Sequence, residues 1–294
     1  MLKSNNGSFC LVGYGVSNVA VCQYLMKNGI FPTIRCKNEC ALPSGIMGIF
    51  GKDYLNTTED VIFRSPSVRP DLINGQGTVY TEVSYGLKNT KAFKIGVTGS
   101  DGKTTTSTLI YRMLCQGNKN AFLGGNIGKP IIDFALSLSK NDYLVAELSS
   151  FQLMDFNEHL DIAVITNISE NHLDWHTDML EYVRAKKNII GERTKRVVTN
   201  ADCYETFRLA CEVMEWDDVE LVLFSSSKTG YSQIFGNLTP ACPAKAIYVS
   251  DGYQRGQRFF RCKVLVPDAG ETLWHAGPGV LYAAALRGGK GLLG

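Results

Sequence analysis

The chain has 294 residues, of which 45% are hydrophobic and 20% are charged. This composition is that of an ordinary globular protein and excludes a disordered or collagen-like chain; at about 150 residues per domain, the length predicts two domains. The 30 Lys and Arg residues nearly balance the 28 Asp and Glu residues, and no block of like charge favours binding to nucleic acid or to an anionic membrane surface.

Short apolar runs alternate with helical patterns along the chain, which is typical of a parallel α/β fold. The N-terminal part predicts a strand at Phe9–Val12, a glycine turn, a helix to Lys27, strands at 32–35 and 61–64, and a turn-rich stretch at 71–89. We expect a Rossmann-like domain over residues 1–90, with its boundary near Asn89–Lys91.

The second part, residues 91–286, predicts a P-loop-type α/β domain with a mostly parallel sheet. Its expected strands lie at 94–97, 121–123, 143–148, 162–166, 197–198 and 221–224. Its first expected helix follows residues 98–106 and ends at about Gln116, and the others lie at 130–138, 179–190 and 204–214. Residues 287–294, rich in glycine, are expected to form an unstructured tail.

No apolar run reaches the roughly 18 residues of a membrane span, and the first residues lack the apolar core of a signal peptide. We therefore expect a cytoplasmic protein without membrane insertion. The nine cysteines include no Cys-x-x-Cys pair. Their spacing predicts reduced thiols that pack as small apolar residues, and not a metal site or a set of disulfides.

A glycine-rich segment, Gly99 to Thr104, lies between a predicted strand and a predicted helix, which is the setting of a phosphate-binding loop. Its backbone N–H groups and the helix N-terminus would face phosphate oxygens. Lys103 would neutralise the β- and γ-phosphates, and Thr104 would offer its hydroxyl to Mg²⁺. Val97 stands where the common pattern has its first glycine, but the strand–loop–Lys-Thr–helix context favours phosphate binding over a plain connecting turn.

An earlier glycine turn is a weaker signal. Gly13-x-Gly15-x-x-Asn18 lacks the third glycine of a dinucleotide fingerprint, and the second strand ends at Cys36 without the acid that binds the ribose of NAD. The sequence therefore disfavours NAD but remains compatible with a diphosphate over the start of the helix.

Two polar side chains follow predicted strands of the second unit at the edge where open α/β sheets carry ligands. Glu147 ends one strand, and His172 follows the next. Beside a phosphate loop, a carboxylate and an imidazole suit Mg²⁺–nucleotide chemistry. The adjacent Lys186 and Lys187 indicate, by themselves, only a solvated helix face.

These motifs, in this order, resemble the Mur ligases of peptidoglycan synthesis. The resemblance lies in residues 96–105, in 123–128 with Gly-Gly-Asn-Ile-Gly, in 147–153 with Glu-Leu-Ser-Ser-Phe-Gln-Leu, and in 167–186. It extends over about residues 8–225, more weakly to about 265. The strings Gly-Gly-Asn-Ile-Gly and Glu-Leu-Ser-Ser-Phe-Gln-Leu favour the member of the family that adds D-glutamate to UDP-N-acetylmuramoyl-L-alanine.

The resemblance implies a role for each matching residue. The residues expected to bind the UDP-sugar substrate are Gly15, Val16 and Ser17 at the diphosphate, Ser65 and Pro66 in the same cleft, and Asn126 and Ser149 at the muramoyl-alanine. The residues expected to bind ATP are Ser100, Asp101, Gly102, Lys103, Thr104, Thr105 and Thr106.

Thr104 and Glu147 would hold the Mg²⁺ of the nucleotide, and His172 a second Mg²⁺. Lys186 matches the lysine that this family carbamylates to support that second ion, so the resemblance replaces the solvated-face interpretation for Lys186 and leaves it for Lys187. Lys103, His172 and Lys186 are thereby the expected catalytic residues.

The implied activity is ATP-dependent amide formation through an acyl phosphate, in a protein expected to be a monomer. Three positions depart from the family pattern: Cys36 replaces Asp, Ser67 replaces Gly, and Asn171 replaces Asp before the histidine. A strand is expected around 264–267, but residues 268–278 match nothing, and the third domain of the family is expected to be absent. We take a truncated gene or a frameshift near Asp268 as the hypothesis and expect weak or no ligase activity.

Three alternatives stay open at this point. One is another acyl-phosphate ligase of the folylpolyglutamate-synthase type, which the N-terminal glycine turn and the Gly-Gly-Asn-Ile-Gly string disfavour. Another is a module that binds a nucleotide sugar and ATP without catalysis. A hydride-transfer enzyme is the least favoured, because the dinucleotide fingerprint is broken.

Overall fold

The computed structural model of the chain describes residues 7–225, except 214, 215, 217 and 218, and the backbone of residues 245–254, 257–266 and 270–275. Its strands form two separate sheets, one of five strands and one of nine. The first sheet ends in sequence at Tyr80 and the second begins at Phe93.

The first sheet is entirely parallel and has the strand order β3-β2-β1-β4-β5. Its strands are β1 (Phe9–Val12), β2 (Thr33–Cys36), β3 (Gly48–Phe50), β4 (Val61–Arg64) and β5 (Thr78–Tyr80), and its helices are α1 (Val16–Lys27) and α2 (Glu82–Asn89). The chain builds outward from β1 in both directions. The strand order therefore reverses between β1 and β4, which is where open α/β sheets bind ligands.

The second sheet has the order β14-β13-β12-β11-β10-β9-β6-β8-β7. It is parallel from β7 to β12 and antiparallel from β12 to β14. Its strands are β6 (Phe93–Thr98), β7 (Ala121–Gly125), β8 (Tyr143–Glu147), β9 (Ile162–Ile165), β10 (Arg196–Asn200), β11 (Glu220–Ser225), β12 (Lys245–Gln254), β13 (Gln257–Val266) and β14 (Gly270–His275). Its helices are α3 (Lys103–Gln116), α4 (Ser150–Leu153), α5 (Met179–Lys187) and α6 (Tyr204–Val213).

Both faces of the second sheet are buried, because successive residues of a strand point to opposite sides. In β8, Leu144 and Ala146 join one hydrophobic core, whereas Val145 joins the other with Ile110 of α3. This double burial explains why the strands read as almost unbroken apolar runs in the sequence. The observed architecture, two mainly parallel sheets with helices, confirms the predicted α/β class.

The structure corrects the predicted helix at 130–138. Two short 3-10 helices, Ile131–Asp133 and Ala135–Ser137, occupy this stretch. Phe134 between them has φ −138°, far from helical geometry, and Pro130 before them has ψ 134°. The apolar spacing that suggests a helix instead arises from side chains that pack under α2, where Ile131 and Ala135 are buried.

The stretch at 71–89 was predicted to be turn-rich, and this prediction was wrong for its second half. It contains β5 and α2, and α2 begins with a reciprocal cap in which Ser84 N donates to Thr81 Oγ1 (3.0 Å) and Thr81 N donates to Ser84 Oγ (2.9 Å). Two other short elements, β3 and α4, also lie where no element was predicted.

At the C-terminal side, β13 extends the strand that was expected around 264–267, and β14 lies within the segment that matched no family pattern. The predicted tail at 287–294 lies outside the described residues. In the part of the chain that the structure describes, no helix has the length and apolar character to cross a membrane.

Candidate functional site

The glycine-rich loop lies between β6 and α3, at the carboxyl edge of the second sheet. Gly102 has φ +76° and caps α3, a conformation that glycine adopts without strain. A Cβ atom at Gly99 would lie 1.8 Å from Thr166 Oγ1. The segment after β9 holds the loop, since Asn167 accepts hydrogen bonds from Ser100 N and, through Oδ1, from Asp101 N, both at 2.9 Å.

Lys103 folds back over this loop. Its Nζ donates to Gly99 O (2.8 Å) and Ser100 O (2.7 Å). The ammonium group thus lies above the loop, where the phosphates of a nucleotide would replace these carbonyls as its partners. Of the two threonines after Thr104, Thr105 is exposed and Thr106 is buried.

Glu147 is the acidic centre of the site. It is only 1% exposed, and its carboxylate accepts hydrogen bonds from Thr104 Oγ1 (2.8 Å) and Asn126 Nδ2 (2.9 Å). The backbone supports this pair, because Asn126 N also donates to Glu147 O (2.8 Å). No Lys or Arg forms an ion pair with Glu147 among the described residues.

A buried carboxylate without a cationic partner is costly, and a divalent cation would relieve this cost. The Glu147 carboxylate and the Thr104 hydroxyl bring together oxygens of the kind that Mg²⁺ prefers. The described residues contain no cluster of three His, Cys, Asp or Glu side chains that could hold a metal. An ion here would therefore need the Thr104 hydroxyl and oxygens from a bound phosphate to complete its coordination.

Lys186 lies beneath the same loop. It is 1% exposed, its Nζ donates to Gly99 O at 2.8 Å, and the nitrogen lies 4.6 Å from the centre of the Tyr182 ring. Burial, with a smaller contribution from the charge of Lys103, lowers the pKa of Lys186 from 10.5 to about 7. Near neutral pH a large fraction of this amine is therefore uncharged and nucleophilic.

His172 does not join this cluster by hydrogen bonds in the described part of the chain. It is exposed, has φ +57°, and its ring lies edge-on against Phe151 with the ring centres 5.0 Å apart. Tyr182 stands between His172 and the loop, with its ring centre 6.4 Å from that of His172 and its hydroxyl 2.8 Å from Ser100 Oγ.

Sequence reasoning missed Tyr182, Thr166 and Asn167 as parts of the site. Tyr182 lies one helical turn before Lys186, so its spacing could have indicated that both side chains share a face. Thr166 donates to Asp101 O at 2.6 Å, a contact that no local pattern announces. Ser149 is the N-cap of α4 and shares hydrogen bonds with Gln152.

A second group of predicted residues meets at the carboxyl edge of the first sheet. A Cβ at Gly13 would lie 2.9 Å from Ser65 Cβ, and one at Gly15 would lie 3.6 Å from Ser65 Oγ. Val16, 82% exposed, begins α1, whose first turn has no acidic residue. Ser17, in the first turn of α1, and Pro66, in the turn after β4, are both half-buried.

Asn18 occupies the position of the missing third glycine and takes over part of its function. It is fully buried, and its Nδ2 donates to Gly13 O (2.6 Å) and Phe63 O (3.0 Å), which ties the ends of β1 and β4 together. Cys36 at the end of β2 is buried, which raises the pKa of its thiol to about 11. The end of β2 therefore offers a neutral thiol where a nucleotide-binding strand commonly offers an acid. None of the seven cysteines whose side chains are described forms a disulfide bond.

Residues 97–239 match the Mur ligase middle domain. The chain is 40% identical over 201 residues to the UDP-N-acetylmuramoylalanine–D-glutamate ligase of Clostridium novyi, a match that covers 63% of this chain and 44% of that protein.

The protein of the same name from Clostridium perfringens is 37% identical over 238 residues, covering 74% of this chain and 51% of that protein. The chain thus spans about half the length of the curated relatives it matches. A similar fold occurs in UDP-N-acetylmuramate:L-alanyl-γ-D-glutamyl-meso-diaminopimelate ligase from Neisseria meningitides, with a TM-score of 0.51, 14% identity, and coverage of 96% of this chain and 94% of that one.

Proposed function

This chain belongs to the Mur ligase family, and on that premise we propose that it serves the ATP-dependent addition of D-glutamate to UDP-N-acetylmuramoyl-L-alanine. The contact of Glu147 with Thr104 and Asn126 carries the proposal, because it joins the phosphate loop to a residue expected at the sugar substrate. In this assignment residues 1–90 bind the UDP-sugar and residues 91–286 bind ATP. We also place the protein in the cytoplasm, as a monomer.

The ATP phosphates would lie in the loop formed by residues 100–106, with Lys103 turned from its present carbonyl partners toward the γ-phosphate. Thr104 and Glu147 would hold Mg²⁺, which supplies charge neutralisation at the phosphates when bound. The loop itself contributes fixed N–H groups and the positive end of α3, so its electrostatic stabilisation needs little rearrangement during the reaction.

The UDP moiety would lie over the start of α1, between the turn at Gly15–Ser17 and the turn at Ser65–Pro66, with Asn126 and Ser149 near the alanyl carboxylate. A carboxylate is a poor acyl donor because oxide would have to leave. Attack of its oxygen on the γ-phosphorus forms the O–P bond and releases ADP. The D-glutamate amine then attacks the acyl carbon, and phosphate leaves as the amide forms. The residues of the chain position these groups and exclude water.

Lys186 would act as a carbamate. Its uncharged amine, favoured by the lowered pKa, attacks the carbon of CO₂, and loss of one proton leaves an anionic group in the buried pocket. Together with His172 this anion would support a second Mg²⁺. Because His172 is exposed and lies against Phe151, its side chain would have to turn toward Lys186 when the site fills.

The direct test is a mass-spectrometric assay of the chain with ATP, Mg²⁺, UDP-N-acetylmuramoyl-L-alanine and D-glutamate. The proposal expects a product whose mass gains one D-glutamate minus water, and no product from Lys103→Ala. Binding of both ATP and the UDP-sugar without product would instead assign a non-catalytic binding module. If the chain binds neither ligand, the proposed function is wrong.

A further inference from the structure

A chain of hydrogen bonds connects the first sheet to the second at the two candidate binding regions. It starts at Arg69, in the turn that follows β4. Arg69 donates to both carboxylate oxygens of Glu181 on α5, at 3.0 and 2.8 Å, and to Trp175 O at 3.0 Å. Trp175 Nε1 in turn donates to Ser67 O at 3.3 Å.

Glu181 also contacts His176, the next residue in this chain of hydrogen bonds. Glu181 Oε2 lies 3.2 Å from His176 Nδ1 and accepts from Thr177 N at 2.9 Å. Arg69 lowers the pKa of Glu181 to about 2, so the carboxylate is ionised and can only accept. His176 Nδ1 therefore carries the proton, and burial lowers the pKa of the ring, which keeps it neutral.

With its proton on Nδ1, His176 has Nε2 free to accept. Ser150 Oγ lies 3.0 Å away and donates to it. Ser150 follows Ser149, the N-cap of α4, in the segment that begins at Glu147. The chain of bonds thus runs from the turn beside Ser65–Pro66 to the segment between Glu147 and α4.

The order Ser–His–Glu matches a nucleophile, a base and an orienting acid, but the surroundings exclude that role. Ser150 and His176 are each 2% exposed, so no substrate carbonyl can reach the hydroxyl. The carboxylate of Glu181 is bound on both oxygens by Arg69. Such an arrangement fixes positions and does not react.

A second arginine forms a separate connection between the two sheets. Arg64, fully buried at the end of β4, donates to Asp155 and to Phe151 O (2.9 Å). Both arginines leave the strand end that carries Ser65–Pro66, and both end on the segments around α4 and α5. These hydrogen bonds therefore fix the position of the first sheet relative to the second at the place where a ligand would contact both.

We propose that Arg69, Glu181 and His176 are positioning residues that couple the UDP-binding turn at Ser65–Pro66 to the Glu147–Ser150 segment of the ATP site. We call the hydrogen-bonded chain from Arg69 through Glu181 and His176 to Ser150 the relay. A ligand that orders the turn orders the relay, and the relay holds Ser149 and Glu147 in the positions that the second ligand requires. The inference rests on the proposed function for the identity of the two ligands.

Titration calorimetry of the whole chain tests this coupling without requiring turnover. The affinity for a non-hydrolysable ATP analogue is measured with Mg²⁺, in the absence and in the presence of saturating UDP-N-acetylmuramoyl-L-alanine. We expect the sugar substrate to tighten analogue binding at least about fivefold, the lower end of ordinary coupling between sites. In Arg69→Met the two separate affinities stay unchanged and the coupling factor falls to one.

Two further variants and a control sharpen the result. His176→Gln breaks the relay in its middle and gives the same loss if Arg69→Met does not fold. Arg69→Lys keeps the charge but not the two-point contact, so it restores only part of the coupling. Arg112→Met, on the exposed face of α3, should keep full coupling.

The outcomes separate the two proposals. A wild-type chain that binds neither ligand refutes the proposed function and the relay with it. If it binds both with a coupling factor of one, the relay alone is refuted. The same holds if coupling persists in folded Arg69→Met and His176→Gln, or if a variant lowers both separate affinities as a merely structural defect would.

Discussion

Replacing Lys186 by Met should stabilise the protein, because the folded state buries an amine that is charged in the unfolded chain, and burying that charge is unfavourable. It is 1% exposed, and its pKa falls from 10.5 to about 7. At about 1.4 kcal/mol for each tenfold change in proton affinity, this corresponds to about 4 kcal/mol at pH 7. Methionine fills a similar volume, and Gly99 O keeps its bond from Lys103, so the substitution leaves that carbonyl paired.

The gain should depend on pH with a definite sign. Between about pH 7 and 10.5 the unfolded lysine binds a proton that the folded one has lost, so the wild-type unfolding free energy rises with pH at this site. The advantage of Lys186→Met is therefore largest at and below pH 7. It should narrow to about 2 kcal/mol by pH 9.

Urea unfolding at pH 6, 7, 8 and 9 in CO₂-free buffer measures this difference, and the absence of CO₂ keeps the amine free. Lys187→Met is the matched control, because Lys187 is 39% exposed and paired with Glu212. Its substitution should change stability by less than about 1 kcal/mol at every pH. The reasoning would be refuted if Lys186→Met were less stable than wild type at pH 7. It would also be refuted if the difference in unfolding free energy between the variant and wild type were the same at pH 6 and pH 9.

Further predictions concern the loop and its carboxylate. Glu147→Gln should lose at least about tenfold of the Mg²⁺-dependent affinity for an ATP analogue in calorimetry, without a lower Tm; unchanged Mg²⁺ dependence would contradict the metal assignment. Lys103→Ala should abolish ATP binding, with a stability change within about 0.5 kcal/mol in urea, and retained binding would remove it from the site. Gly125→Ala should cost about 2 kcal/mol or more, since φ is +104° and its Cβ would lie 2.2 Å from Glu147 O. The control Gly29→Ala, at φ +74° with nothing within 4 Å, should cost only about 1 kcal/mol, and equal losses would refute the steric argument.

Much of the fold followed from local pattern. The strands β1 and β4, the end of α3 at Gln116 and the start of α5 at Met179 lie where the apolar periodicity put them. Errors fell where tertiary packing overrode that pattern. Ile131 and Ala135 have helical spacing, yet they pack beneath α2 from two 3-10 turns.

The candidate site divides in the same way. A glycine-rich loop before a helix needs consecutive residues of particular types, so the sequence located residues 99–104 as a candidate phosphate loop. It located Glu147 because a strand end fixes a side chain at the sheet edge. Lys186 differs, since a lysine beside another lysine carries no local sign of burial. Only the packing of α5 under the loop places its amine at Gly99 O and lowers its pKa.

The sequence by itself predicted the α/β class, placed the glycine-rich loop between a strand and a helix, and carried the resemblance to the Mur ligases, because these depend on short stretches with fixed periodicity or spacing. The tertiary structure alone decided that Tyr182 contacts Ser100 and that Arg69 reaches Glu181, 112 positions away in the chain. Such contacts depend on how whole elements pack against one another. No local propensity encodes the distance between two residues that the fold brings together from different sheets.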